Sequence, residues 1–295
     1  MLQDLKVYLK VKMVKYAVLS VAAGYGIGFS VEDRFNLLSF FVLLVGAAAI
    51  SAGTLSMNQV QEIDKDKLMD RTKHRPLASG AFTPKFAFTL SFSLMLIGLG
   101  CLYYVSPLSS LIGLSIIVLY NGLYTMYWKK NLPFAAVPGA IPGALPIVMG
   151  YAAASNDIFS APSIYLFLVM FLWQMPHFWS LAIRYADDYA KGKFPVLPAV
   201  IGAERTKYHI SFYVWAFAFL GIMSPFFVTF AYAYFLLVIP FAIVLVWKFV
   251  KYFHTEDQKA WLPFFLLTNF TMMAFIFSPL IDKWTPMILK VSMGL

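Results

Sequence analysis

The sequence predicts an all-α integral membrane protein with nine transmembrane helices, and three observations predict it. Of its 295 residues, 61% are hydrophobic and only 13% are charged, whereas a soluble domain carries about 25% charged residues. The apolar residues come in runs long enough to span a bilayer, which takes roughly 20 of them. The basic residues then fall on alternate breaks between those runs.

Taken in order, the runs lie at about 14–31, 35–57, 84–105, 107–128, 135–155, 161–183, 209–227, 229–250 and 260–281. No signal-peptide cleavage pattern follows the first run. With the N-terminus in the cytoplasm and nine alternating passes, every Lys and Arg except Arg34, Lys283 and Lys290 falls on the inner side. That distribution predicts a multi-pass protein of the inner (cytoplasmic) membrane, with its N-terminus inside and its C-terminus outside. The net charge of +9 therefore reads as a membrane face, with no nucleic-acid partner. One cysteine, Cys101, excludes an intrachain disulfide, a Cys-rich zinc site and a CxxCH haem attachment. The chain reads as a single domain, 1–295.

The second run ends in NQVQEIDKDKLMDRTKHRP, residues 58–76, where acids and bases crowd together. Asn58, Glu62 and Asp66 are four apart, so a continuing helix puts them on one face. That face carries only oxygen donors, which suit Mg²⁺ bridged to a phosphate. Arg71 and Arg75 follow, and arginine recognises phosphate bidentately. The plain alternative is a solvated loop obeying the positive-inside rule. It accounts for the bases but not for the acid row, since acids contribute little to topology.

Runs three and four lead to Lys129 and Lys130. Run five contains Pro138, Pro142 and Pro146 beside Gly139 and Gly143. It reads either as a kinked, tightly packed helix or as a bend that widens a cavity. Run six ends WQMPHFWSLAIRYADDYAKGK, a second charged inner loop four helices after the first. The pair of loops hints at an internal duplication. Adjacent Asp187 and Asp188 cannot share one helical face, so at most one aims inward. His177 lies at membrane depth, where ionisable groups mark function or are packed with a hydrogen bond. Iron ligand, base and packing residue all remain open for it. Tyr120, Tyr124, Trp173 and Trp179 read as core or interface aromatics that could also shield a cation.

These motifs resemble a known family. NxxxDxxxD, standing here as Asn58, Glu62 and Asp66, resembles the first signature of the intramembrane, UbiA-type prenyltransferase superfamily. MxRTxxRPL (Met69 to Leu77), YNGLYTMYWKKN, PGAIPGALP and WQMPHFWSLAIRYADDY resemble its haem-farnesylating branch. The likeness runs to about residue 207; beyond it only hydropathy matches. It implies a nine-helix bundle with a cytoplasm-facing cavity. It implies Mg²⁺ as cofactor, farnesyl diphosphate as donor and haem b as acceptor substrate, with haem A synthase as a candidate onward partner. Asn58, Glu62, Asp66 and Asp188 are then the expected metal and catalytic residues. Arg71, Arg75, Lys129 and Lys191 are the expected diphosphate partners, and His177, Tyr124 and Trp173 the haem contacts. Gly192 stands four residues after Asp188 where the wider pattern has a second acid, so that side of the metal shell is expected to be thinner or completed by water. Rival readings are prenyl transfer to a quinone precursor, and a non-enzymatic transporter or haem chaperone.

Overall fold

Lipid offers the backbone no hydrogen-bond partner, so a chain this apolar must satisfy its amides within helices. The computed structural model describes residues 1–30, 32–229, 231–255 and 258–292, and all regular structure among them is helical. Among the described residues, seven helices are long and apolar enough to cross a membrane. These are α3 (Leu37–Gln61), α5 (Pro84–Val105), the continuous segment Pro107–Asn131, α8 (Ala136–Ser155), α9 (Ala161–Arg184), Tyr234–Phe253 and Trp261–Pro286. The first and seventh expected spans also form helices, α2 (Val11–Gly28) and α12 (Ala203–Ile222). Lys12 and Lys15 in α2, and Glu204, Arg205 and Lys207 in α12, keep both below that measure. Lys290, expected outside, lies beyond the described side chains.

Helix starts follow local chemistry. Asn36 caps α3 by accepting from Ser39 N at 3.0 Å. Thr83-Pro84 and Ser106-Pro107 repeat one device, a hydroxyl cap followed by proline at the first helical position. The segment Pro107–Asn131 starts as α6 (Pro107–Ile117), becomes a π-helix over Val118–Trp128 and ends in α7 (Lys129–Asn131). Nothing in its hydropathy foretells the π turns.

Neighbouring helices pack in the order α3, α5, α6, α8, α9, α12, with α13 (Ile239–Phe253) and α14 (Trp261–Ser292) beside α12 and α9. α2 and α8 approach closely. A Cβ on Gly24 would run into the Ile147 carbonyl, and one on Gly150 into the Val21 carbonyl. Run five is thus a tightly packed helix, with Pro142 and Pro146 inside it. Large side chains such as Phe92, Tyr103, Phe212, Phe219 and Trp247 face outward, as a lipid-facing surface requires.

Two elbows share one shape. α3 stops at Glu62 (φ −118°, ψ 16°) and resumes as α4 (Ile63–Asp66). α9 stops at Tyr185 (φ −116°, ψ 30°) and resumes as α10 (Ala186–Lys191). The duplication suggested by the two charged loops thus has a geometric counterpart. Glu62 and Asp66 occupy the positions that Tyr185 and Tyr189 occupy in the second half. A short amphiphilic helix, α1 (Leu2–Tyr8), precedes α2 and is tied down by fully buried Tyr8. The Tyr8 hydroxyl donates to Ala87 O at 2.8 Å and meets Ser91 Oγ at 2.7 Å, while Gln59 Nε2 donates to Tyr8 O at 2.6 Å.

Candidate functional site

The first elbow keeps the acid row together although the helix does not continue. Glu62 N still donates to Asn58 O at 3.1 Å, and Asp66 N to Glu62 O at 2.8 Å. Fourfold spacing thus survives the bend, and Asn58, Glu62 and Asp66, each 3% exposed, line one cavity of about 130 Å³. Pockets that enclose a drug-sized ligand run to about 300–1,000 Å³, so this one suits a small head group rather than a porphyrin.

Around the acids stand four cations, Lys10, Arg71, Arg75 and Lys129, with Tyr120, Tyr124, Phe178, Tyr189 and Phe194 as aromatic wall. Two acids against four cations leave the cavity positive, which draws an anion. Arg75 Nη1 donates to both Asp66 oxygens, at 2.9 and 2.7 Å. Lys129 Nζ donates to Glu62 Oε2 at 2.7 Å, while Glu62 Oε1 is buried with no hydrogen-bond partner among the described residues. Arg71 Nη2 donates to the Tyr189 hydroxyl at 3.2 Å, and its guanidinium stacks 5.1 Å from the Tyr185 and Tyr189 rings. Lys129 also sits 4.4 Å over Phe194.

The π-helix supplies the opposite wall. Its i→i+5 ladder stacks positions four to five apart, bringing Tyr120, Tyr124, Thr125 and Lys129 toward the acids. Thr125 Oγ1 accepts from Asn58 Nδ2 at 3.2 Å. Asn121 Nδ2 donates to Thr54 O at 3.0 Å, and Gln61 Nε2 donates to Asn121 O at 3.0 Å, which locks α3 to this segment.

Several expected residues lie elsewhere. Asp188 does not line the cavity. Its carboxylate accepts from the Asp70 and Arg71 amides at 2.8 and 3.1 Å, binding the second charged loop to the first. Lys191 is half exposed and pairs with Asp70, away from the acids. Lys191 and Lys73 hold the Asp70 carboxyl down at about 2, and Asp70 in turn raises Lys191. His177 faces α14 instead, 4.6 Å from Phe265, and Trp173 lies 4.8 Å from His177 along α9. From this stretch of α9 the cavity receives Phe178, one residue and about 100° from His177. Among the described residues, buried His177 Nδ1 and Trp173 Nε1 have no hydrogen-bond partner.

Lys10, Thr125 and Phe194 were not foreseen, and Thr72 stood in the MxRTxxRPL resemblance without a role. Thr125 and Lys129 had a signal in the YNGLYTMYWKKN resemblance; Lys10 had none, since it reads as one more inner-face lysine. Burial pushes Lys10 down to about 7, with Arg75 and Lys129 adding repulsion against the pull of Glu62 and Asp66. Among the described residues no three His, Cys, Asp or Glu side chains converge as a metal group. Asn58 completes the oxygen set, and the unpartnered Glu62 Oε1 in a polar cavity fits a hard cation.

Similar proteins agree with this architecture. Over 275 residues, 93% of this chain and 94% of the relative, the sequence is 44% identical to a protoheme IX farnesyltransferase of Bdellovibrio bacteriovorus. It is 35% identical over 233 residues to a protein of that name from Bacillus cereus, covering 77% and 74% of the two chains. The fold matches a digeranylgeranylglyceryl phosphate synthase with TM-score 0.76 at 18% identity, covering 95% of this chain and 98% of that one. It also matches a UbiA homolog from Archaeoglobus fulgidus bound to GPP and Mg²⁺, with TM-score 0.66 at 15% identity over 92% and 98%. Residues 17–275 match the UbiA prenyltransferase family, and the chain belongs to that family.

Proposed function

We propose that this protein transfers the farnesyl group of farnesyl diphosphate to a vinyl group of haem b, giving haem O. The observation that carries the reading is the cavity itself: three buried oxygen side chains beside four cations at the foot of an apolar bundle. The protoheme IX farnesyltransferase relatives support the choice of acceptor. In this reading the chain crosses the inner membrane nine times as one domain, α2 and α12 included, with the cavity toward the cytoplasm and the C-terminus outside.

Asn58, Glu62 and Asp66 would hold a magnesium ion, which when bound neutralises the diphosphate and acts as a Lewis acid. Arg75 and Lys129, paired here with Asp66 and Glu62, would be the cations that bind the diphosphate oxygens. Arg71, fixed by Tyr185 and Tyr189, binds the same group. Asp188 acts as a positioning residue that fixes the loop carrying Arg71, rather than as a metal ligand. The carbon–oxygen bond of the farnesyl breaks, diphosphate leaves, and the allylic carbon becomes cation-like. Tyr120, Tyr124, Phe178 and Phe194 exclude bulk water and face that charge with their rings. The terminal vinyl carbon forms the new carbon–carbon bond. Water adds to the cation left beside the porphyrin and loses a proton, leaving a hydroxyl. Tyr124 faces the reacting vinyl edge of the haem from the cavity wall, whereas His177, packed against Phe265 of α14, lies on the other side of α9. Haem A synthase would be a recipient of the product.

The test is incubation of the purified protein with haem b, farnesyl diphosphate and Mg²⁺, followed by chromatography of the extracted haems. The expected result is haem O, with pyrophosphate released only when both substrates are present. Release without haem, or prenylation of a hydroxybenzoate in its place, defeats the assignment.

A further inference from the structure

Lysines are common just inside a membrane, and Lys6, Lys12 and Lys15 behave as that rule predicts, all exposed. Lys10 does not. It is partly buried and lines the acid cavity, although it precedes residues 17–275, where the family match lies. The other three cavity cations already have partners: Asp66 for Arg75, Glu62 for Lys129 and Tyr189 for Arg71. Among the described residues the Lys10 ammonium makes neither a hydrogen bond nor an ion pair. Glu62 and Asp66 act on it only at longer range.

The backbone is arranged to put it there. Lys10 has φ 49° and ψ 46°, a left-handed conformation that lysine avoids. It turns the chain between α1 and α2. Two residues earlier, Tyr8 anchors α1 through Ala87, Ser91 and Gln59. An unfavourable backbone persists only where its surroundings impose it, and such residues cluster at ligand clamps.

We propose that Lys10 is a diphosphate-binding residue, delivered to the donor site by the tethered N-terminal helix, so that this helix belongs to the substrate-binding machinery. The proposal rests on the reading of the cavity as a diphosphate site. When diphosphate arrives, Lys10 supplies a donor that need not first abandon a protein carboxylate.

The probe is pyrophosphate with Mg²⁺, titrated by calorimetry into the full chain in detergent. One charge-assisted contact is worth about tenfold to a hundredfold in affinity, so K10Q is expected to bind pyrophosphate about that much more weakly. K10R should stay within about threefold of wild type. K10G separates fold from function, because glycine accepts the left-handed backbone without strain. It should bind as poorly as K10Q while melting no lower than wild type. In steady state K10Q should raise KM for farnesyl diphosphate and leave KM for haem b unchanged. Wild-type affinity in K10Q, or its recovery in K10G, overturns the proposal. A protein that binds pyrophosphate through Lys10 yet never farnesylates haem b keeps this inference and defeats the acceptor assignment alone.

Discussion

Asp188 separates two accounts of the second charged loop, and Asp188→Asn distinguishes them. Both carboxylate oxygens accept backbone amides, from Asp70 at 2.8 Å and Arg71 at 3.1 Å, and the residue is only 9% exposed. A hydrogen bond to a charged group contributes about 1.5–3 kcal/mol. Asparagine keeps one acceptor oxygen but turns an NH₂ toward the other amide, so about 2 kcal/mol of loop ordering is lost. Each 1.4 kcal/mol is tenfold in an equilibrium, so kcat/KM falls by at most about 30-fold. Arg71 rides on the loosened loop, so the loss should appear in KM for farnesyl diphosphate. The assay is the rate of haem O formation at varied Mg²⁺ and farnesyl diphosphate. The Mg²⁺ concentration at half-maximal rate should not move. A shift of tenfold or more with an unchanged melting temperature would make Asp188 a metal ligand and refute the positioning role.

The remaining predictions concern the cavity and the bundle. Asp66→Ala removes the partner of Arg75 together with a proposed oxygen ligand, and should abolish product at saturating Mg²⁺; full activity there sinks the site assignment. Lys129→Gln strands Glu62, whose side chain is 2% exposed. Breaking a buried pair costs about 3–5 kcal/mol, so the variant should melt well below wild type in chelator and recover on adding Mg²⁺; equal melting in both conditions argues against a cation at Glu62. Gly24→Val drives a side chain into the Ile147 carbonyl. Overpacking of that kind costs about 1–3 kcal/mol, which thermal unfolding in detergent should register, whereas an unchanged midpoint would mean that α2 and α8 do not approach so closely.

Hydropathy alone made this chain a helical membrane protein, because lipid leaves an apolar segment no other way to satisfy its backbone. Fourfold spacing put Asn58, Glu62 and Asp66 together, because i→i−4 bonding links such positions even across the bend at Glu62. Those are local facts, fixed within a few turns of chain. Whether Asp188 meets a metal or a pair of amides depends on where a loop more than 100 residues away comes to rest. Lys191 was drawn off by Asp70 for the same reason. His177 and Phe178 are neighbours in sequence, yet one faces α14 and the other the cavity, since one residue turns a helix by about 100°. The π turns of Val118–Trp128 and the left-handed Lys10 arise from packing that composition does not encode. Charge, length and periodicity therefore determined the class of molecule and the acid row, while only the assembled bundle decided which cations share the cavity with it.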